Sequence, residues 1–110
     1  MSYFVRDTTI YLTRGDTFRA NISIKDETGN PYIPVEGETV RFAMKKNYSD
    51  SKLLISKDIP INTMELVLLP TDTKNLSFDN YVYDIQITRA NGDVDTFIAK
   101  ANLILTEEVG

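Results

Sequence analysis

Large apolar and polar residues alternate along most of the chain with a period of two, the signature of half-buried β-strands. Residues 81–88 show it most plainly: Tyr81, Tyr83, Ile85 and Ile87 alternate with Val82, Asp84, Gln86 and Thr88. Ala90-Asn91-Gly92 comes next, and then Val94 to Ile98 resumes the pattern, so a β-hairpin is written almost residue by residue. Two registers are open. A two-residue Asn91-Gly92 loop sets Ile85 against Ile98 and Tyr83 against Lys100. A three-residue loop with Gly92 in the left-handed region sets Ile85 against Phe97, Tyr83 against Ala99 and Tyr81 against Ala101. Burying Phe97 is worth roughly 2 kcal/mol and burying an unpaired Lys100 ammonium costs several, which favours the three-residue loop. Ile98 and Val82 then fall on the outer face as candidate partner contacts.

The same periodicity predicts about seven strands in all. Thr8 to Thr13 carries Ile10 and Leu12 on one face and Tyr11 on the other; Arg14-Gly15-Asp16 turns it into a strand with Phe18, Ala20, Ile22 and Ile24 in phase. That Arg-Gly-Asp triplet matches a cell-adhesion tripeptide, but a tight turn asks for the same residues. Asp26-Glu27-Thr28-Gly29-Asn30-Pro31 is a cluster of turn formers, and Pro31 and Pro34 keep the adjoining residues out of a central ladder. Val40, Phe42 and Met44 mark the next strand, Leu53 to Lys57 an edge strand flanked by Lys52 and Lys57, and Met64, Leu66 and Leu68 a fifth. Pro70 to Leu76 reads as one helical turn with Thr71 as its cap. Tyr81 has the spacing of the tyrosine corner that precedes a central sandwich strand, its hydroxyl returning to upstream backbone, with Tyr83 at the central core position. The fold expected is an antiparallel immunoglobulin-like β-sandwich over residues 8–110, preceded by an N-terminal arm of residues 1–7. A partly open barrel is the alternative.

Composition removes several functions. At 110 residues the chain is about one domain, able to bury roughly 65% of its unfolded surface without metal or disulfide support. It has no histidine and no cysteine, so the usual general base, activated nucleophile and soft metal ligands are missing. An enzyme is not expected, nor a cofactor, metal or small-molecule substrate. The oxygens of residues 26–30 lack the alternation of a calcium loop and are read as turn chemistry. The 12 basic residues are scattered, with Lys45-Lys46 the only doublet, and the net charge is -4; no nucleic-acid stripe exists. Residues 1–7 lack the basic and apolar regions of a secretory signal, and no apolar run reaches membrane-spanning length, so a soluble, non-secreted product without membrane partners is expected.

A family resemblance lies in the turn and core positions. Phe18 with its alternating apolar residues, Asp26-x-x-Gly29-x-Pro31-Tyr32 and Gly37-x-x-Val40-x-Phe42 resemble the N-terminal immunoglobulin-like domain of phage baseplate upper proteins. Leu66-x-Leu68-x-Pro70-x-Asp72-Thr73-x-x-Leu76, Tyr81-x-Tyr83-Asp84-Ile85-Gln86-Ile87, Gly92-x-Val94-x-Thr96-Phe97-Ile98 and Glu107-Glu108-Val109 are similar to small proteins of phage and prophage tail regions in Gram-positive bacteria. The resemblance spans about Thr8 to Val109. It implies a virion component, present in the bacterial cytoplasm during assembly, whose partners are other virion proteins. Baseplate upper proteins continue into a long helical or fibre segment whereas this sequence stops at Gly110, which favours a free-standing tail-associated module over one docked on a baseplate hub. The arm carries Tyr3, Phe4 and Val5, and the first strand has no lysine or proline to guard its edge. Arm and strand together are therefore expected to contact a second copy or another virion protein, with Tyr11 taking part. The alternatives are an arm folded onto its own core and a module that recognises host-surface carbohydrate or protein through loop tyrosines, Tyr32 and Tyr48.

Overall fold

The computed structural model describes residues 3–6 (by backbone alone), 8–25 and 28–107. Among them are ten strands and one helical turn, so the fold is all-β: β1 (Tyr3–Arg6), β2 (Thr9–Thr13), β3 (Phe18–Asn21), β4 (Ile24–Lys25), β5 (Pro31–Tyr32), β6 (Thr39–Lys45), β7 (Ile55–Ile59), β8 (Glu65–Leu68), α1 (Pro70–Thr73), β9 (Asn80–Thr88) and β10 (Val94–Thr106). Six strands make one curled sheet in the order β1-β2-β10-β9-β6-β7, while β3·β8 and β4·β5 form two-stranded ladders. The sheets are not all antiparallel. β2 runs parallel to β10, with Ile10 beside Leu103 and Leu12 beside Leu105.

One apolar core lies inside the curl. Ile10 and Leu12 of β2, Val40, Phe42 and Met44 of β6, Tyr81, Tyr83, Ile85 and Ile87 of β9, and Leu103 and Leu105 of β10 are buried in it with Phe18, Leu66 and Leu68 from the facing ladder. The period-two pattern thus chose the inner face correctly on β2, β6 and β9. Around the short strands it misjudged the bounds. The run 18–25 is broken at Ile22-Ser23: β3 pairs with β8 only as far as Asn21 opposite Glu65, and Ile24 then turns to pair with Tyr32. The strand expected at 53–57 lies at 55–59, where Ile55 and Ile59 supply the buried positions. α1 begins after Leu69, whose N–H is accepted by the Asp72 carboxylate at 2.7 Å, so Asp72 rather than Thr71 satisfies the helix start.

The last hairpin corrects the expected register in part. Its loop is the three-residue one: Arg89 N–H donates to the Asp93 carbonyl at 2.7 Å, Gly92 N–H donates to the Arg89 carbonyl at 2.9 Å, and Gly92 has φ +94°. Farther along, two β-bulges advance β10 by one residue each. Ile85 faces Ile98, not Phe97; Tyr83 faces Ala101, not Ala99; Tyr81 faces Leu103, not Ala101. A bulge sets two residues against one, so Phe97 and Ile98 both pack on the core, each half-buried, and Ile98 is not on the outer face. The second bulge includes Lys100 at φ +54° and leaves its side chain exposed. Chain alternation cannot announce an extra residue, and here it occurs twice within one strand. Gly92→Val is expected to destabilise by at least about 1 kcal/mol in denaturant unfolding, since a β-branched residue resists positive φ. A Cβ at that position meets nothing within 4 Å, so the cost is conformational rather than steric.

Candidate functional site

Four places on the fold carry the polar and exposed groups from which a function can be built. The first is the end of the molecule where the proline-rich loop meets the last hairpin. Glu38 is buried there: its Oε1 accepts the Tyr32 hydroxyl at 2.6 Å and the Val35 N–H at 3.0 Å, and its Oε2 accepts the Arg89 guanidinium at 3.2 Å. Arg89 also donates to Asp95 at 3.2 Å and lies over the Tyr32 ring, 4.7 Å from its centroid. Glu38 lies in the polar segment just before the strand of Val40, Phe42 and Met44. The signal that sequence reasoning missed is phase: Glu38 continues the inward series Val40, Phe42 and Met44, and Arg89 continues Ile85 and Ile87, so two opposite charges occupy core-phase positions on neighbouring strands. Tyr32, a ligand contact only in the alternative reading as a host-surface binding module, has its hydroxyl committed to this clasp. The Tyr32 hydroxyl, then the Val35 N–H and Arg89, hold the Glu38 carboxyl below its ordinary value, against a desolvation penalty. A depressed folded value adds stability that is present above the unfolded value of about 4.5 and is lost as pH falls through the folded one. Glu38→Gln is therefore expected to flatten the acid side of the melting-temperature profile, as measured by circular dichroism below about pH 5.

The second place is the tyrosine pair of β9. The Tyr81 hydroxyl donates to the Ser77 carbonyl at 2.8 Å, four residues upstream and beyond the helical turn. The Tyr83 hydroxyl donates to the Thr8 carbonyl, and its ring lies 5.1 Å from that of Phe42. Burial pushes Tyr83 up to about 12, so the fold loses stability as pH rises above the unfolded value near 10. Tyr81→Phe is expected to lower stability by about 1 kcal/mol in urea unfolding, the net worth of one hydrogen bond.

The third place is the apolar cleft beneath Tyr83. A volume of about 250 Å³ opens between the curled sheet and β3, lined chiefly by Ile10, Phe18, Leu66, Tyr83, Ile85 and Ile98. Ile98, expected as an outer contact, belongs to this inner wall.

The fourth is the outer face of the six-stranded sheet with its β1 edge. Tyr11 and Val82 do share that face, both half-buried, separated by β10. The arm is a strand: β1 pairs antiparallel with β2, Tyr3 opposite Leu12 and Arg6 opposite Thr9. β2 is thus flanked on both sides and is not the open edge that the sequence suggested. The side chains of Tyr3, Phe4 and Val5, expected to make partner contacts, lie outside the described residues, as do Asp26 and Glu27 of the calcium-like turn. Between β6 and β9 the outer face has a shallow pocket of about 100 Å³ lined by Ala43, Lys45, Tyr48, Val82, Tyr83 and Asp84. Among the described residues no group of three His, Cys, Asp or Glu comes together to hold a metal, and no helix is long and apolar enough to cross a membrane.

No protein-family model matches this sequence, and no curated protein is significantly similar to it.

Proposed function

We propose that this chain is a non-enzymatic structural module of a phage or prophage tail or baseplate, built as an immunoglobulin-like sandwich and acting by docking onto other virion proteins. The order β10-β9-β6-β7 supports this reading, being that of a G-F-C-C′ run in a variable-type immunoglobulin sheet, with the β3·β8 ladder as the counterpart of strands B and E. The Tyr81 bond to Ser77, two residues before buried Tyr83, supports the same reading as a tyrosine corner.

The observation that carries docking is β1. A four-residue strand closes one side of a six-stranded sheet and, among the described residues, has β2 as its single ladder partner. The other side of β1 offers backbone groups on which a strand of a second copy or of another virion protein adds to the sheet. Light scattering and sedimentation at high concentration test this: the full chain is expected to self-associate weakly, and a chain lacking Met1 to Arg6 to remain a folded monomer. A strictly monomeric full chain removes self-docking. The neighbours of the gene test the setting, where tail, baseplate or lysis genes are expected and an unrelated operon would overturn it.

A further inference from the structure

The geometry points to the outer-face pocket between β6 and β9 as a binding site for a neutral polyhydroxyl ligand, the edge of one pyranose ring, with Tyr48 as its apolar platform and Asp84 and Lys45 as its polar contacts. The site is held by regular structure. Ala43 stands opposite Asp84 and Lys45 opposite Val82 in the β6·β9 ladder, so acceptor and donor project from adjacent strands of one sheet face. Tyr48 sits in a turn fixed by two bonds, Asn47 N–H to the Asp50 carboxylate at 3.2 Å and Asp50 N–H to the Asn47 carbonyl at 3.1 Å. The residue is 51% exposed and lines the pocket.

Asp84 is a half-buried carboxylate that the fold leaves unused. Glu38, Asp50, Asp72 and Asp79 each accept a hydrogen bond or form an ion pair, whereas Asp84, though half-buried, has neither among the described residues. Its register partner is an alanine, which offers no side-chain donor. Burial raises its carboxyl above the ordinary value and the Lys45 charge acts against that shift, yet the two do not close an ion pair. A half-desolvated carboxylate in a cleft, without a partner, is a mark of a binding position. The signs of the two charges choose the ligand. A cation at Asp84 meets Lys45 and an anion at Lys45 meets Asp84, while adjacent hydroxyls donate to the one and accept from the other without repulsion. Tyrosine covers an apolar ring face at low entropic cost. The pocket lies across the sheet from β1, so its occupancy and docking at that edge fail or hold separately.

Amide chemical shifts of the ¹⁵N-labelled full chain, titrated with methyl β-D-glucopyranoside and methyl β-D-galactopyranoside, test the site. One or both glycosides are expected to give saturable shifts confined to residues 43–48 and 82–84, with a dissociation constant on the order of 1 mM for a ligand of that size. Asp84→Asn and Tyr48→Ala are each expected to weaken binding at least about tenfold without lowering the melting temperature, as outer-face changes leave the core intact; Lys45→Met provides a third variant if either fails to fold. Absence of shifts up to roughly 50 mM, well above that constant, overturns the proposal. Unchanged affinity in the variants does so too. Saturable shifts with ethylammonium chloride but not with the glycosides would reassign the pocket to a cationic side chain and equally overturn it.

Discussion

Phe42→Ala is expected to cost about 3–5 kcal/mol of folding stability, more than any other substitution named, because it removes an aromatic ring from the centre of the curl. Phe42 is fully buried on β6, between β7 and β9, where it stands opposite Lys57 on one side and Ile85 on the other. Its ring meets that of Tyr83 at 5.1 Å with an interplanar angle of 33°, a tilted contact that adds to the area term. Val40 and Met44 flank it along the strand and are fixed by the same ladders, so the space left behind cannot close by a simple shift. In urea the midpoint should fall with little change in slope, and the melting temperature should drop by at least about 10 °C. Gln86→Ala, on the outer face of the adjacent strand, is expected to stay within about 0.5 kcal/mol of the parent. A loss below about 1 kcal/mol for Phe42→Ala would mean that the inner face of the sheet is not the packed core.

The long strands were legible because their side chains are sorted by burial, and a period of two survives any detail of pairing. Phe42, Tyr83 and Ile85 need only an inside and an outside. What the sequence could not show depends on neighbours far along the chain. The parallel meeting of β2 with β10, the bulges that carry Ile98 inward, and the arm's return as β1 are choices among pairings of similar local propensity. The same distinction separates the sites. Glu38 and Arg89 announced themselves as charges in core phase, a legible cue that turn chemistry masked. Asp84 gave no cue, because a polar residue in outer phase is ordinary until the register sets Ala43 opposite it.

Thr73→Val should lower stability by about 1–3 kcal/mol, although the two side chains have nearly the same shape. Thr73 ends α1 with its side chain fully buried, and its Oγ1 accepts the Gly15 N–H at 3.0 Å. Gly15 sits at φ +85° in the β2–β3 turn, where Asp16 N–H returns to the Thr13 carbonyl at 3.1 Å. The hydroxyl therefore ties the turn that launches β3 to the helical crossover between β8 and β9, and Arg14 reinforces the link with a 3.2 Å bond to the Leu76 carbonyl. Arg14 and Gly15 of the Arg-Gly-Asp triplet both take part in this junction. Valine restores the methyl volume but not the acceptor, leaving the Gly15 N–H part-buried and unsatisfied. Thr73→Ser keeps the acceptor and loses one buried methyl, a change of roughly 0.8 kcal/mol. Chemical denaturation of the two variants side by side separates the effects: the valine form is expected to be the less stable. A serine form equal to or weaker than the valine form would show that the methyl contact, not the hydrogen bond, holds the turn to the crossover.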